Sequence, residues 1–480
     1  MAYDAFLMDF SCLSRSLEAK HYSFGESKGF TSVSIDSRNT EPGSFFIALS
    51  GSVTDGHLYI EAAFKAGAAG AMVEVSKLQQ FNILETAKKM GKEIIAVDNT
   101  LYALQEAARI YLQKFPNLLK IGITGSAGKT TTKEIAAAII AVEKNTVMSK
   151  GNLNSETGLP LAVFSVRSHH EVGVFELAMN HKGEMADLAR IVKPNIALIT
   201  NIGLAHIGIL GSKDAIAKEK KDIFSCLTDN DVALIPNEDQ YRDFLAENVK
   251  GTVRFYSANT FSEFEGARSL GLEGSEIIWA GQKVHFSRPG KHCLADALAA
   301  IAIAKEAGVS NEAIKQGLES VKPMFGRAEI VKGRTTLIRD CYNASPESVT
   351  KALEFCDSLE WPGRRIYVMA DMLELGDNSH SAHEHLGQLL CESKADIIFL
   401  FGKEIKAAAA VLHAAGKPFF HTEDINGLSA AVDSAIKTGE SANGLAQDLV
   451  LLKGSRGCAL ERLSGILTGI GNTAEAKGGS

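Results

Sequence analysis

Short apolar runs alternate with amphipathic stretches and turn residues along most of the chain. LLKIGIT, VGVFELA, NIALITNI and DVALIP each read as a buried strand, and residues 129–142 and 185–191 read as helices between them. Strands alternating with helices predict a mostly parallel sheet covered on both faces. The alternation resumes after residue 323. TTLIRD, RRIYVMAD, ADIIFLFG and DLVLLKG read as strands, each followed by a helix, the first starting at Glu347 and the second around 382–391. That order predicts a Rossmann-like domain. Near the N-terminus, SVSIDSRNTEPGSFFIAL contains two strands about a Pro42-Gly43 turn, and LYIEAAFKAGAAGA reads as a helix. A residue before proline is pushed out of the helical region, so Phe115-Pro116 reads as a linker. A second boundary falls near Lys322-Pro323. The expectation is an α/β protein of three domains: 1–115, a central phosphate-loop domain at 116–323 with a mostly parallel sheet, and a Rossmann-like domain at 324–480. The small, polar tail NTAEAKGGS reads as disordered.

Composition narrows the function classes. A chain of 480 residues exceeds what one core supports. The formal net charge of -7 argues against a broad nucleic-acid-binding surface, though it leaves room for a local basic pocket. No apolar run approaches the ~18–20 residues that span a bilayer. Asp4 and Asp9 break any secretory pattern at the start. Seven cysteines, an odd number with no CxxC pair, read as reduced thiols rather than a disulfide framework or a zinc site. A cytoplasmic monomer is expected.

The sharpest local signal is GITGSAGKTTTKE, from Gly122 to Glu134. It follows an apolar strand and opens a helix, the setting a phosphate loop requires. Gly125 and Gly128 let the backbone of Ser126, Ala127 and the first helical turn, with Thr131, close on phosphate oxygens. Lys129 would reach the β- and γ-phosphates and the Thr130 hydroxyl would ligate Mg²⁺. Ile123 stands where the usual spacing has glycine. Glu176 ends the strand VGVFELA, where its carboxylate is placed to serve the same metal; the plain alternative is a surface carboxylate. Lys220 lies four residues after Ile216 and four before Phe224, inside an apolar stripe that also holds Ile223 and Leu227. Lys218, Lys221 and Asp222 fall to the sides. A buried lysine loses charge, and a neutral amine can react with CO₂; the alternative is an ammonium that snorkels outward. The H-x-x-H-E-H run of His380, His383 and His385 lacks a companion ligand and reads as a polar helix start, not a zinc site.

Eight segments in order resemble the Mur ligases, the ATP-dependent amide-forming enzymes of peptidoglycan precursor synthesis. They are TGSAGKTTTKE, KGNLNSETGLPLAVF, ELAMNHKGEMADLARIVKP, ITNIGLAHIG, FGRAEI, DCYNASPESV, MADMLELGDNSHSAHEHLG and LLKGSRG; with SIDSRNTEPGSFFIALSGSVTDGH, similar to the family's UDP-binding region, the resemblance runs over about 33–463. The resemblance implies an N-terminal UDP-sugar-binding domain, a central ATPase and a C-terminal domain that closes over ATP. The substrates it implies are UDP-N-acetylmuramoyl-tripeptide and D-alanyl-D-alanine, joined through an acyl phosphate. It implies that Lys129, His206 and Lys220 are catalytic. It places His206 near a second Mg²⁺ and makes Lys220 a carbamate ligand of that ion. Asn237 is implied on the adenine side, Arg327 on the phosphates and Asp340 on the ribose. Ser37 and Arg38 are implied at the UDP end, and Asn152, Asn154, Thr157, Asn180 and His181 along the UDP-sugar-peptide. Tyr342 and Asn343, with Lys453, Ser455 and Arg456, are implied at the dipeptide. PGKHCLADALAA retains His292 but has Cys293 and Asp296 where asparagines are usual, so no adenine contact is assigned there. The rival readings are a Mur-type or folylpolyglutamate-type ligase with other substrates, and a phosphate-loop NTPase switch that makes only ADP and phosphate.

Overall fold

The computed structural model describes residues 6–51, 53–443 and 447–469; the tail expected to be disordered lies outside them. Three α/β domains follow one another. The first is built on a five-stranded sheet in the order Lys20–Tyr22, Glu93–Val97, Gly70–Glu74, Ser44–Ile47, Ser32–Ser34. Its strands are parallel except Lys20–Tyr22.

The second holds a six-stranded, wholly parallel sheet. Leu119–Thr124 lies at its centre between Ile196–Ile199 and Val172–Glu176, with Val232–Pro236 and Thr252–Tyr256 beyond on one side and Thr146–Met148 on the other. Val172–Glu176 and Ile196–Ile199 are buried at every position, as strands covered on both faces must be. Helix Lys129–Ile140 covers one face, and Lys291–Glu306 and Asn311–Ser320 pack onto it. The third domain carries another six-stranded sheet in the order Glu329–Lys332, Thr336–Asp340, Leu449–Lys453, Arg365–Ala370, Ile397–Phe401, Phe420–Thr422. Only its first strand runs antiparallel.

Two details differ from the sequence reading. LYIEAAFKAGAAGA is not one helix: it stops at Lys65, and Gly70 begins a strand. The alanines of AGAAGA suit either state, and burial between two strands decides for the sheet. A three-stranded antiparallel sheet, Phe264–Ser269, Ser275–Trp279 and Gln282–Phe286, had not been anticipated. Among the described residues no helix is long and apolar enough to cross a membrane.

The carboxyl ends of both large parallel sheets open onto one cavity of about 740 Å³. Residues just past Thr124, Glu176, Ile199 and Pro236 line it from the central domain, and residues past Asp340, Ala370 and Lys453 line it from the C-terminal domain. Ligands of open α/β sheets bind at strand carboxyl ends, so this cavity is where chemistry is expected.

Candidate active site

The phosphate loop is shaped by two glycines. Gly125 has φ +149°, and a Cβ there would lie 1.8 Å from Thr200 Oγ1. Gly128 has φ +82°, caps helix Lys129–Ile140, and would place a Cβ 2.2 Å from Asp296 Oδ1. The residues between them are braced by the neighbouring strand end. Ser126 N donates to Asn201 O (3.0 Å) and Ala127 N to Asn201 Oδ1 (3.1 Å). Gly203 N donates to Ser126 Oγ at 2.8 Å. Ser126 through Thr131 all line the cavity.

Lys129 folds back and donates to Gly125 O at 2.8 Å. Burial, opposed by the charge of Glu176 and reinforced by Arg327, lowers its pKa. Arg327 reaches across from the C-terminal domain: its Nη2 donates to Thr130 Oγ1 at 2.9 Å, and its guanidinium lies 4.3 Å from the Tyr342 ring centre. The expected phosphate clamp is thus in contact with the expected metal hydroxyl.

Glu176 is 1% exposed. Its Oε1 accepts from Asn154 Nδ2 at 2.8 Å, while Oε2 is buried without a hydrogen-bond partner. His206 has φ +66° and also holds a buried, unpartnered atom, Nδ1. Burial, then the charges of Lys129 and Lys220, pushes its pKa down to about 3, so the imidazole is neutral. Thr130, Glu176 and His206 all face the cavity. Glu176 Oε2 and His206 Nδ1, the latter 3.3 Å from Glu374 Oε2, are thus buried polar atoms without hydrogen bonds on the wall that also carries the Thr130 hydroxyl, the kind of atom a bound cation would satisfy.

Lys220 is 1% exposed on helix Lys213–Lys221, in register with buried Ile216, Ile223, Phe224 and Leu227, while Lys218 is exposed. Its amine lies off the cavity wall, near Lys129 and His206. Burial and then Lys129 lower its pKa well below the lysine range, with Glu219 opposing.

Other expected residues divide. Asn152, Asn154, Asp340, Tyr342, Asn343, Lys453 and Arg456 line the cavity. Asp340 is already engaged, by Lys453 Nζ at 2.9 Å and by Ala328 N at 3.1 Å. Asn237 does not reach the wall: its Oδ1 accepts from Arg242 Nη1 at 3.1 Å, and Pro236, Glu238 and Asp239 form the wall there instead. Thr157, Asn180 and His181 are also off the wall. Thr157 Oγ1 is 3.3 Å from Ser155 Oγ, and the side chains of Asn180 and His181 are exposed. Ser455 supports from behind, accepting from Leu373 N at 2.9 Å. Ser37 and Arg38 lie in the N-terminal domain outside the cavity, and Arg38 is paired with Asp36 at 2.7 Å on the surface.

Several contributors left no mark in the sequence. Glu184 accepts from Asn180 N (2.6 Å), His181 N (3.1 Å) and Glu156 N (3.2 Å), and Glu219 accepts from Gly183 N (2.8 Å) and Met185 N (3.0 Å). These two buried carboxylates fix the loops that carry Asn154 and Asn180. Arg288 is 1% exposed on the cavity wall; Nη2 donates to Arg327 O at 2.6 Å, and Nε and Nη1 have no partner. Beside it, burial raises Asp296 to about 7 and Cys293 to about 12 and lowers His292 to about 4. Of the histidine run, His383 is buried, not part of a polar helix start: Nε2 accepts from Met372 N (3.0 Å) and Nδ1 donates to Ser379 O (2.7 Å).

Comparison with known proteins places this geometry. Residues 29–111 match the description "Mur ligase family, catalytic domain", 123–304 "Mur ligase middle domain" and 326–456 "Mur ligase, glutamate ligase domain". The UDP-N-acetylmuramoyl-tripeptide--D-alanyl-D-alanine ligase of Treponema pallidum (strain Nichols) is 41% identical over 449 residues, covering 92% of this chain and 94% of its own. A crystal structure of MurF from Acinetobacter baumannii superposes with a TM-score of 0.85 at 27% identity, covering 98% of this chain and 100% of its own. MurF ligase from Thermotoga maritima in complex with ADP gives 0.75 at 25% identity, covering 91% and 97%. With three such matches in order and a relative of that identity along nearly its whole length, the chain belongs to the Mur ligase family.

Proposed function

We propose that the protein uses ATP to join D-alanyl-D-alanine to UDP-N-acetylmuramoyl-tripeptide, the last peptide addition to the peptidoglycan precursor before it leaves the cytoplasm. The observation that carries this reading is the phosphate loop whose Thr130 is gripped by Arg327 and shares a cavity wall with buried Glu176, one of whose carboxylate oxygens has no hydrogen-bond partner. The names of the relatives supply the substrate class.

In this reading a carboxylate oxygen of the tripeptide attacks the γ-phosphorus and ADP leaves. The acceptor amine then attacks the acyl carbon, the carbon–oxygen bond to phosphate breaks, and the amine's proton leaves on the released phosphate. Lys129 exchanges the Gly125 carbonyl for phosphate oxygens and, with Arg327, stabilises charge on the transferring group. Thr130 and Glu176 fit one Mg²⁺ and His206 a second, and when bound these ions would neutralise charge on those oxygens. Asn154 orients Glu176 through its 2.8 Å hydrogen bond. Lys220 is read as a carbamate: a neutral amine adds to CO₂, loses a proton and becomes an oxygen ligand for a second ion. Further closure of the two sheets over the cavity would exclude water that could hydrolyse the acyl phosphate.

The test is a product assay with Mg-ATP, UDP-N-acetylmuramoyl-tripeptide and D-alanyl-D-alanine. Pentapeptide should form with matching amounts of ADP and phosphate, and sustained ADP release should require both the tripeptide and the dipeptide. Continuous ATP hydrolysis without amide would instead assign the chain to the switch NTPases.

A further inference from the structure

The acceptor dipeptide is a zwitterion, and its amine must approach a phosphate end crowded with Lys129 and Arg327. An ammonium entering there is repelled unless a carboxylate offsets the charge. The C-terminal domain places two carboxylates on the cavity wall, Asp340 and Glu374. Asp340 is taken by Lys453 and Ala328 N. Glu374 is open: its side chain is 58% exposed, and its contact with His206 Nδ1 at 3.3 Å is not a hydrogen bond, since that nitrogen remains without a partner.

Glu374 is also held in place by more than chance. Its φ is +67°, a conformation unfavourable for a residue with a Cβ and kept only when the surroundings over-determine it. They do so here. Met372 N is bonded to buried His383, Leu373 N to Ser455 Oγ, and the Asp371 carboxylate accepts from Lys403 N and Ile405 N at 3.0 and 2.9 Å. The D-M-L-E-L-G loop is therefore a rigid mount for one carboxylate. Its Leu373 side chain lies against Gly457, so Arg456, half-exposed on the same wall and paired with Glu461 through one terminal nitrogen at 2.8 Å, is close by, and its other nitrogens could meet the dipeptide's other end.

We infer that Glu374 binds the α-ammonium of the incoming dipeptide and holds its nitrogen beside the acyl phosphate, where the ammonium gives one proton to solvent and the free amine so formed is the nucleophile. The inference rests on the proposed function above and adds a residue that selects an amine acceptor.

The test compares wild type with Glu374→Gln and Glu374→Asp, using two nucleophiles. D-alanyl-D-alanine needs the ammonium site. Hydroxylamine, a small neutral nucleophile, captures an acyl phosphate as hydroxamate without it. Losing a charge-assisted hydrogen bond should raise the KM for the dipeptide in Glu374→Gln by about tenfold or more. Glu374→Asp should recover part of that loss, and hydroxamate formation should stay near the wild-type rate in both. An unchanged dipeptide KM would overturn the inference. So would a fall in hydroxamate formation or a shifted Mg²⁺ requirement, either of which would put Glu374 on the metal or phosphate side. A wild type that makes hydroxamate but no pentapeptide would defeat the proposed function, a result distinct from both.

Discussion

Buried groups without ordinary partners define the site residue by residue. Glu176 Oε2, His206 Nδ1 and two Arg288 nitrogens each forgo hydrogen bonds that folding normally completes, and all three residues line one cavity. Lys220 belongs with them: it is 1% exposed, and burial and then the neighbouring Lys129 lower its pKa well below the lysine range. Replacing it removes the proposed carbamate oxygen while leaving the apolar stripe intact. Lys220→Ala is therefore expected to keep its fold, to lose ligation by about a hundredfold, and to regain part of it when acetate or formate is added, because a small carboxylate can occupy the vacated position. Steady-state rates with and without added acid, beside a thermal melt, check this. Full activity in the variant, or loss with no rescue in a folded protein, would count against the carbamate. Lys220 could be found from sequence because its neighbours repeat at helical spacing. Arg288 and Glu219 could not, since their partners, Arg327 O and Met185 N, are 39 and 34 positions away. Asn237 differs from both: its partner Arg242 is only five positions on, and the side chain is engaged there and not at the cavity wall.

The strand–loop–helix from Leu119 to Ile140 is the element on which the chemistry depends. Its identity was plain because strand, glycines and Lys-Thr are contiguous, and local sequence carries local geometry. Its bracing by Thr200 and Asn201 was not plain, because that contact joins two strands. Gly125→Ala tests the bracing. A Cβ would fall 1.8 Å from Thr200 Oγ1 and 3.0 Å from Thr200 N, so the strand end must move. Overpacking of this kind should destabilise the protein by about 1–3 kcal/mol and raise the KM for ATP. Equilibrium unfolding and ATP kinetics report the two effects, and a variant unchanged in both would show that the loop does not depend on this approach. Elements that are continuous apolar runs, such as Val172–Glu176 and most of Arg365–Ala370, were legible. The sheet of Phe264–Ser269, Ser275–Trp279 and Gln282–Phe286 was not: FEGARS and QKVHF mix charge with isolated apolar residues, and only pairing reveals them as strands.

On the scale of the whole molecule, two parallel sheets turn their carboxyl ends toward each other and are joined there by Arg327 to Thr130 and by Glu347 Oε1, which accepts from Leu204 N at 2.7 Å. This arrangement brings the phosphate loop and the proposed acceptor face together, and in the proposed reaction the acid is activated on ATP itself. That activation is the central claim, and the fate of one oxygen tests it most directly. With heavy oxygen in the tripeptide's reacting carboxylate, one labelled oxygen should appear in inorganic phosphate for each amide formed, because the oxygen that attacks phosphorus departs with it. Label in AMP would indicate an adenylate, and amide made with unlabelled phosphate would contradict the acyl-phosphate route.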